Sequence, residues 1–235
     1  MHCHVDLVDN MIDFALSLEK MGISAFTVTT TPKAFEVESK VLKRFPNLKV
    51  GLGLHPQLIS SRYDEIEMIE RHIHNHKYIG EIGLDYGKQF YFSKERQKIA
   101  FEKIMYMCSN GNKVISIHSA FAASDVLDII NKYNSAANNI CILHWFSGTN
   151  KQLQKAIELG CYFSVNERML QKGNLNISQI PFDRIMVETD YPFIPHICNS
   201  QEIYNSLCGC LCKLNIVMGK EIEDIVSETS KKILS

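Results

Sequence analysis

Short apolar, β-branched runs alternate with longer amphipathic stretches along this chain, and that alternation limits its possible folds more than any single residue does. The runs at 2–6, 23–29, 48–54, 78–84, 114–118, 140–145, 161–165 and 184–188 read as eight strands. Between them, 8–21, 32–45, 63–74, 93–110, 122–133 and 150–159 carry apolar residues at helical spacing. Pro32 falls in the first turn of one helix, Ser93 at the N-cap of another, and Gly160 closes the one before it in the chain. Residues 200–234 read as helix with a break at Gly219. Parallel strands need a crossover connection, so repeated strand–helix units imply a parallel sheet. Eight such units point to an α/β protein closed as a TIM-like (β/α)8 barrel; an open doubly wound sheet is the structural alternative.

Composition narrows the rest. Of 235 residues, 46% are hydrophobic, and the net charge is -1, which excludes whole-chain disorder. No linker or low-complexity stretch interrupts the pattern, so residues 1–235 are expected to form a single domain. No apolar run reaches the roughly 18 residues of a membrane span, and no signal-peptide pattern opens the chain, so a cytoplasmic protein with no membrane partner is expected. A pI near 6.7 excludes a broadly basic surface, leaving room only for local contact with nucleic acid. The eight cysteines are scattered through strands and helices, as reduced thiols would be. Cys208, Cys210 and Cys212 cluster, but in a helical stretch, where small apolar packing is the better reading than a metal knuckle.

Six polar residues sit where apolar strands end: His2 and His4 on the first, Glu81 on the fourth, His118 on the fifth, His144 on the sixth and Asp190 after the eighth. Strand periodicity points His2 and His4 to one side. Glu81 lies among Ile79 and Ile82, and a buried charge needs a partner. In a parallel barrel all strand C-termini open on one face, so the six converge there. Imidazoles with carboxylates are a divalent-metal ligand set; a carboxylate can bridge two ions, and six ligands are more than one ion with open positions needs. Any one of these histidines alone is more often structural; their joint placement carries the reading. His55 follows the third strand on the same mouth, either touching substrate or capping its loop. Ser119, Ser147 and Gly148 could bind a substrate oxygen or begin the next helices, and Trp145 could stack on a base or pack at the mouth. His72, His74 and His76 read as a solvated helix end, and His196 is uninformative by itself.

At this point the motifs resemble the TatD family of metal-dependent deoxyribonucleases. His2-Cys3-His4-Val5-Asp6 is similar to its opening HxH segment and Gly53-Leu54-His55-Pro56 to its third-strand segment. Gly80-Glu81-Ile82-Gly83-Leu84-Asp85-Tyr86 closely resembles its GEIGLDY run. Ile117-His118-Ser119, His144-Trp145-Phe146-Ser147-Gly148 and Glu188-Thr189-Asp190-Tyr191-Pro192 follow in family order. The resemblance implies a TIM-like barrel that hydrolyses DNA phosphodiesters, often from an end and usually with magnesium; histidine-rich ligation alone would favour manganese or zinc. It implies that His2, His4, Glu81 and Asp190 hold one ion and that Glu81, His118 and His144 hold a second. Two ions would lower the pKa of a bound water from about 15.7 toward about 7, with Glu81 and Asp190 as the catalytic carboxylates and Asp190 as general base. Two departures bear on substrate. Ala120 stands where the family usually has an arginine, and Pro195-His196-Ile197-Cys198-Asn199 replaces its basic RGKRNEP-like segment. Arg168 and Lys172 are the nearest replacements for the lost phosphate contacts. DNA or a nucleotide is therefore the expected substrate. A small-molecule C–N or ester hydrolase on the same metals, or a barrel subunit of a complex, are the alternatives. Similar divergent chains occur in multigene anti-phage defence systems, which would supply partner proteins.

Overall fold

The computed structural model describes residues 2–194 and 197–235; Pro195 and His196 lie outside the described residues. Strands and helices alternate as β1 (His2–Cys3), α1 (Met11–Lys20), β2 (Ala25–Val28), α2 (Pro32–Val41), β3 (Leu48–Gly51), α3 (Ile59–Arg62), α4 (Ile66–His72), β4 (Tyr78–Gly83) and α5 (Lys94–Met107). They continue as β5 (Val114–His118), α6 (Ala123–Asn134), β6 (Ile140–His144), α7 (Asn150–Glu158), β7 (Tyr162–Val165), α8 (Glu167–Lys172), β8 (Ile185–Val187), α9 (Ser200–Met218) and α10 (Glu223–Ile233). Local chemistry fixes several of these ends. Thr31 accepts the Ala34 N–H ahead of Pro32, and Thr149 with Gln152 forms a reciprocal capping box at the start of α7. Gly219, at φ +65, ends α9.

All strand pairs are parallel. Two runs, β1-β2-β3 and β4-β5-β6-β7-β8, meet through short seams that close the ring. At one seam Leu52 N–H donates to Tyr78 O (3.1 Å), Gly80 N–H to Leu52 O (2.9 Å) and Leu54 N–H to Glu81 O (3.0 Å). At the other, His4 N–H donates to Tyr191 O (2.8 Å) and Asp190 N–H to His2 O (3.2 Å). The barrel, not the open sheet, is the outcome.

Several expected boundaries move. The first strand stops at Cys3, because Val5–Leu7 turn into a 3-10 helix whose Asp6 carboxylate accepts the Thr30 N–H and hydroxyl, both at 2.7 Å. The eighth begins at Ile185, since Arg184 belongs to a 3-10 turn and its guanidinium bonds Ile157 O at 2.8 Å. The helix expected over 63–74 divides into a 3-10 turn, Tyr63–Glu65, and α4. Ser93 occupies the N-cap position of α5, yet its hydroxyl donates to Phe90 O. Cysteines 208, 210 and 212 are free thiols on α9; Cys210 is buried with Sγ 3.4 Å from Val165 O, as packing requires, whereas Cys208 is half-buried and Cys212 exposed, because a helix turns alternate residues to different sides.

At the end of the barrel opposite the strand C-termini, Phe26, Val28, Val114, Ile142 and Met186 pack against Ile233 and Leu234, so the chain's last helix plugs that opening. The Tyr78 hydroxyl and Lys77 Nζ anchor the plug at Ser235 O (3.1 and 2.7 Å). Among the described residues no helix is long and apolar enough to cross a membrane.

Candidate metal centre

Glu81 is the pivot of the open end. It lies in an irregularity of β4, where Ile79 pairs with Ile115 but Ile82 with Ile117, so Gly80 and Glu81 together oppose one residue of β5. A bulge of this kind re-aims a side chain. Strand β2 reaches across to hold it: Thr29 N–H donates to Gly80 O (3.1 Å) and Glu81 N–H to Thr29 O (3.2 Å). Gly53 makes the approach possible, since a Cβ there would sit 1.9 Å from Thr29 O and 2.5 Å from Glu81 N.

The buried Glu81 carboxylate faces two groups of donors with its two oxygens. Oε2 lies 3.0 Å from His4 Nε2 and 3.7 Å from His2 Nε2. Asp190 Oδ1 completes that side, 3.4 Å from His2 Nε2 and 3.6 Å from His4 Nε2. Oε1 lies 2.7 Å from His118 Nδ1, 2.8 Å from His144 Nε2 and 3.5 Å from His55 Nε2. All six residues expected at the strand ends are therefore brought together, in the same two sets. His55 caps the turn that follows it, accepting the Gln57 N–H on Nδ1 (3.3 Å), and also turns Nε2 toward Glu81.

Each strand-end imidazole also turns its remaining nitrogen toward an outer polar group, within hydrogen-bond distance at His2 and His118 and farther off at His4 and His144. His2 Nδ1 meets the Ser116 hydroxyl (2.9 Å), His4 Nδ1 meets Asp6 (3.6 Å), His118 Nε2 meets Asp85 (3.1 Å) and His144 Nδ1 meets Glu188 (3.6 Å). Those partners are themselves held. Asp85 accepts from Gln57 Nε2 (2.7 Å) and Gly87 N–H (2.8 Å), and Glu188 Oε1 from Asn166 Nδ2 (3.0 Å) and Trp145 N–H (3.1 Å). Histidines that bind metal are commonly oriented this way, with the far N–H given to a carboxylate. Sequence reasoning missed Asp6, Asp85, Ser116 and Glu188, although all four stand within five residues of an expected ligand.

The electrostatics follow from packing carboxylates and imidazoles out of water. Burial opposes the Glu81 charge, but His144 and His55 with the His118 hydrogen bond outweigh it and hold the carboxyl well below its usual range. Asp190 is likewise lowered against burial by the His2 imidazole 3.4 Å away and by the His144 charge. Burial disfavours a charged His4, yet Asp6 and Glu81 override it and raise the imidazole to about 10. At His144, Glu81 and Glu188 do the same. His2 and His55 go the other way, lowered chiefly by burial. Surplus negative charge here must be matched by protons on imidazoles or by a cation.

A cation is the better fit. Buried His2 Nε2, Glu81 Oε2 and Asp190 Oδ1 have no hydrogen-bond partner, although each points into one cluster. Orphaned buried polar atoms cost free energy unless a ligand satisfies them. The ligand atoms of His2, His4 and Glu81 lie within 4.8 Å of one another, as do those of His55, Glu81 and His118, and those of His2, His144 and Glu188. Mixed nitrogen and oxygen donors suit Zn2+, Mn2+ or Mg2+ in different degree.

The cluster floors a cavity of about 560 Å3. Ser119, Ser147, Trp145, Ala120, Lys172 and Asn174 are on its walls, with Phe121 and Phe193, neither singled out by the sequence. Lys172 is the one lysine or arginine among the described lining residues. Arg168 is not part of the lining; its guanidinium packs 5.8 Å over the Trp145 ring.

The arrangement can be set beside known proteins. The family model described as TatD related DNase matches residues 1–235. An uncharacterized metal-dependent hydrolase of Buchnera aphidicola is 28% identical over 206 residues, 82% of this chain and 77% of that one. The deoxyribonuclease Tat-D of Schizosaccharomyces pombe is 31% identical over 116 residues, 48% of this chain and 37% of that one. The crystal structure of YJJV, a TatD homolog from Escherichia coli, matches with a TM-score of 0.84 over 100% of this chain and 96% of that chain; at 19% identity this likeness establishes the fold. With the barrel closed, the donors converged and the family model covering the whole sequence, the chain belongs to the TatD family of metal-dependent hydrolases.

Proposed function

We propose that this protein hydrolyses phosphodiester bonds of DNA, working from strand ends with two divalent cations. One observation carries the reading: the two oxygens of Glu81 face separate donor sets, His2, His4 and Asp190 on one side and His118 and His144 on the other. Mg2+, Mn2+ or Zn2+ in those sets would supply Lewis-acid chemistry, making water nucleophilic near neutral pH and offsetting charge on the attacked phosphate. The deoxyribonuclease name of the fission-yeast relative supports DNA as the substrate.

The chain's own groups divide the remaining work. Asp190, a cavity carboxylate held ionised, takes the proton of the attacking water on a carboxylate oxygen. Lys172 Nζ and the Ser119 hydroxyl, both lining the cavity, bind the non-bridging phosphate oxygens that the family's arginine would hold at Ala120. His55 accepts the Gln57 N–H on Nδ1 (3.3 Å), which leaves its proton on Nε2, directed at Glu81. Trp145 walls the site, with Arg168 stiffening the ring from its face.

End-labelled single-stranded DNA, incubated with purified protein and Mg2+ or Mn2+, tests the proposal directly. Shortening from one end, lost in Glu81→Gln, is expected. Metal-dependent cleavage of lactones or amides without any effect on oligonucleotides would favour the small-molecule reading, which the single lysine of the cavity supports.

A further inference from the structure

Beside the cavity floored by the imidazoles and carboxylates lies a second, of about 680 Å3, and the two share Ser119, Phe121, Ser147 and Asn174. Hydroxyls and amides dominate the second, with Ser124, Thr149, Asn150 and Gln152 on its walls. Among its described lining residues there is no lysine or arginine. Its one carboxylate, Asp125, is engaged by the Tyr86 hydroxyl (2.7 Å) and by Lys98 Nζ (3.5 Å). A groove without cations is poorly made for another phosphate. Its polar groups are fixed by one another, Gln152 Nε2 donating to Ser124 Oγ (2.8 Å) and Thr149 Oγ1 to Gln152 Oε1 (3.1 Å), so it presents a neutral polar wall beside an aromatic face, which suits a base and sugar.

Phe121 stands at the divide. Its side chain is 84% exposed, more than any other large hydrophobic among the described residues, and its backbone lies at φ +55, a region that bulky residues avoid. The turn is fastened on both sides, Ala122 N–H donating to Ser119 O (3.1 Å) and Tyr86 N–H to Ala120 O (2.9 Å). No core contact requires the ring there, so exposure and strain are both kept at a cost to folding. Outliers of this kind gather where ligands are held.

We infer that Phe121 is the stacking platform for the nucleobase next to the scissile phosphate, and that the neutral groove beyond it is the subsite for that nucleoside. The inference rests on the phosphodiester reading and narrows its substrate to single-stranded ends, because a base within a duplex has both faces covered by its neighbours. Stacking accepts any base, so sequence preference is weak.

The test is a cycle between protein and substrate. Phe121→Ala, which leaves the core intact, is expected to lower kcat/KM on single-stranded DNA roughly 5- to 150-fold, the range of one lost base stack, while Phe121→Trp retains activity. An abasic residue beside the cleaved bond should cost wild type a similar factor, and the two losses should not add. In the Glu81→Gln background, a 2-aminopurine base at the strand end should be quenched on binding, and Phe121→Ala should abolish the quenching. Fully additive losses, or equal quenching with and without the ring, would overturn the platform. Wild type inert toward every oligonucleotide would instead overturn the phosphodiester reading on which it rests.

Discussion

Replacing Glu38 with glutamine should remove one component of the fall in stability between pH 6 and pH 9. Glu38 lies on the inner face of α2, fully buried, with neither carboxylate oxygen hydrogen-bonded. Burial pushes its pKa up to about 8, only partly offset by the Thr27 hydroxyl, and the nearby Asp6 charge adds to the rise. The unfolded chain releases this proton near pH 4.5, whereas the folded chain keeps it until about 8. At Glu38 the folded protein therefore holds more proton across that window, so this group's contribution to stability is greatest below pH 4.5 and falls as pH rises toward 8. The whole shift corresponds to about 5 kcal/mol at 1.36 kcal/mol per pH unit, of which roughly 2 to 3 kcal/mol is lost between pH 6 and pH 9. For a chain of this size that is a fall in Tm about 5 to 10 °C larger in wild type than in Glu38→Gln. Urea denaturation of both proteins across the range, with EDTA present throughout so that metal binding does not contribute, isolates the difference. Parallel profiles would refute the reasoning and mean that Glu38 is solvated or paired in solution.

Other expectations follow from the same geometry. Divalent metal should raise Tm, since binding only the folded state contributes about 2.7 kcal/mol at 100-fold saturation; a melting curve identical with Mn2+ and with EDTA would count against the centre. Asp85→Asn should weaken metal affinity or activity about 10- to 100-fold by loosening His118, with unchanged Tm of the metal-free protein as the control, and isothermal titration reads the first directly. Ile233→Ala should cost about 2 to 5 kcal/mol in urea denaturation, because it empties the plug at the closed end of the barrel; a loss under 1 kcal/mol would mean the plug is dispensable.

Much of the barrel was legible because its period is written in residue type. Runs such as 140–143 are apolar throughout, as strands buried on both faces must be, and the helices between them carry one apolar stripe. Charged or imidazole groups stand out against such strands, which is why His2, His118 and His144 could be placed before any coordinates. The ends of β1 and β8 were not legible. What turns the chain after Cys3 is the Asp6 carboxylate bonding to Thr30, a contact between residues 24 apart, and no local propensity reports it.

The same distinction separates the ligands from the groups that hold them. Asp6, Asp85 and Glu188 sit just beyond strand ends or within polar motifs, where carboxylates are common and each looks solvated. Only the closed ring shows that all three face imidazoles. Glu38 is the instructive contrast. Phe35, Glu38 and Leu42 are spaced three and four apart, so the helical period itself places the carboxylate on the buried stripe. A charge on an apolar stripe is a local contradiction, and such contradictions are where function or strain resides. Phe121 is the converse case, an apolar residue that the fold leaves in water. Its sequence neighbourhood gives no warning, because a phenylalanine after a strand end reads as core until the backbone is seen to turn it outward at positive φ. The donors that converge at the barrel mouth are thus mostly written at strand ends, while the carboxylates that face them from outside, and the exposed ring of Phe121, are set by the loops.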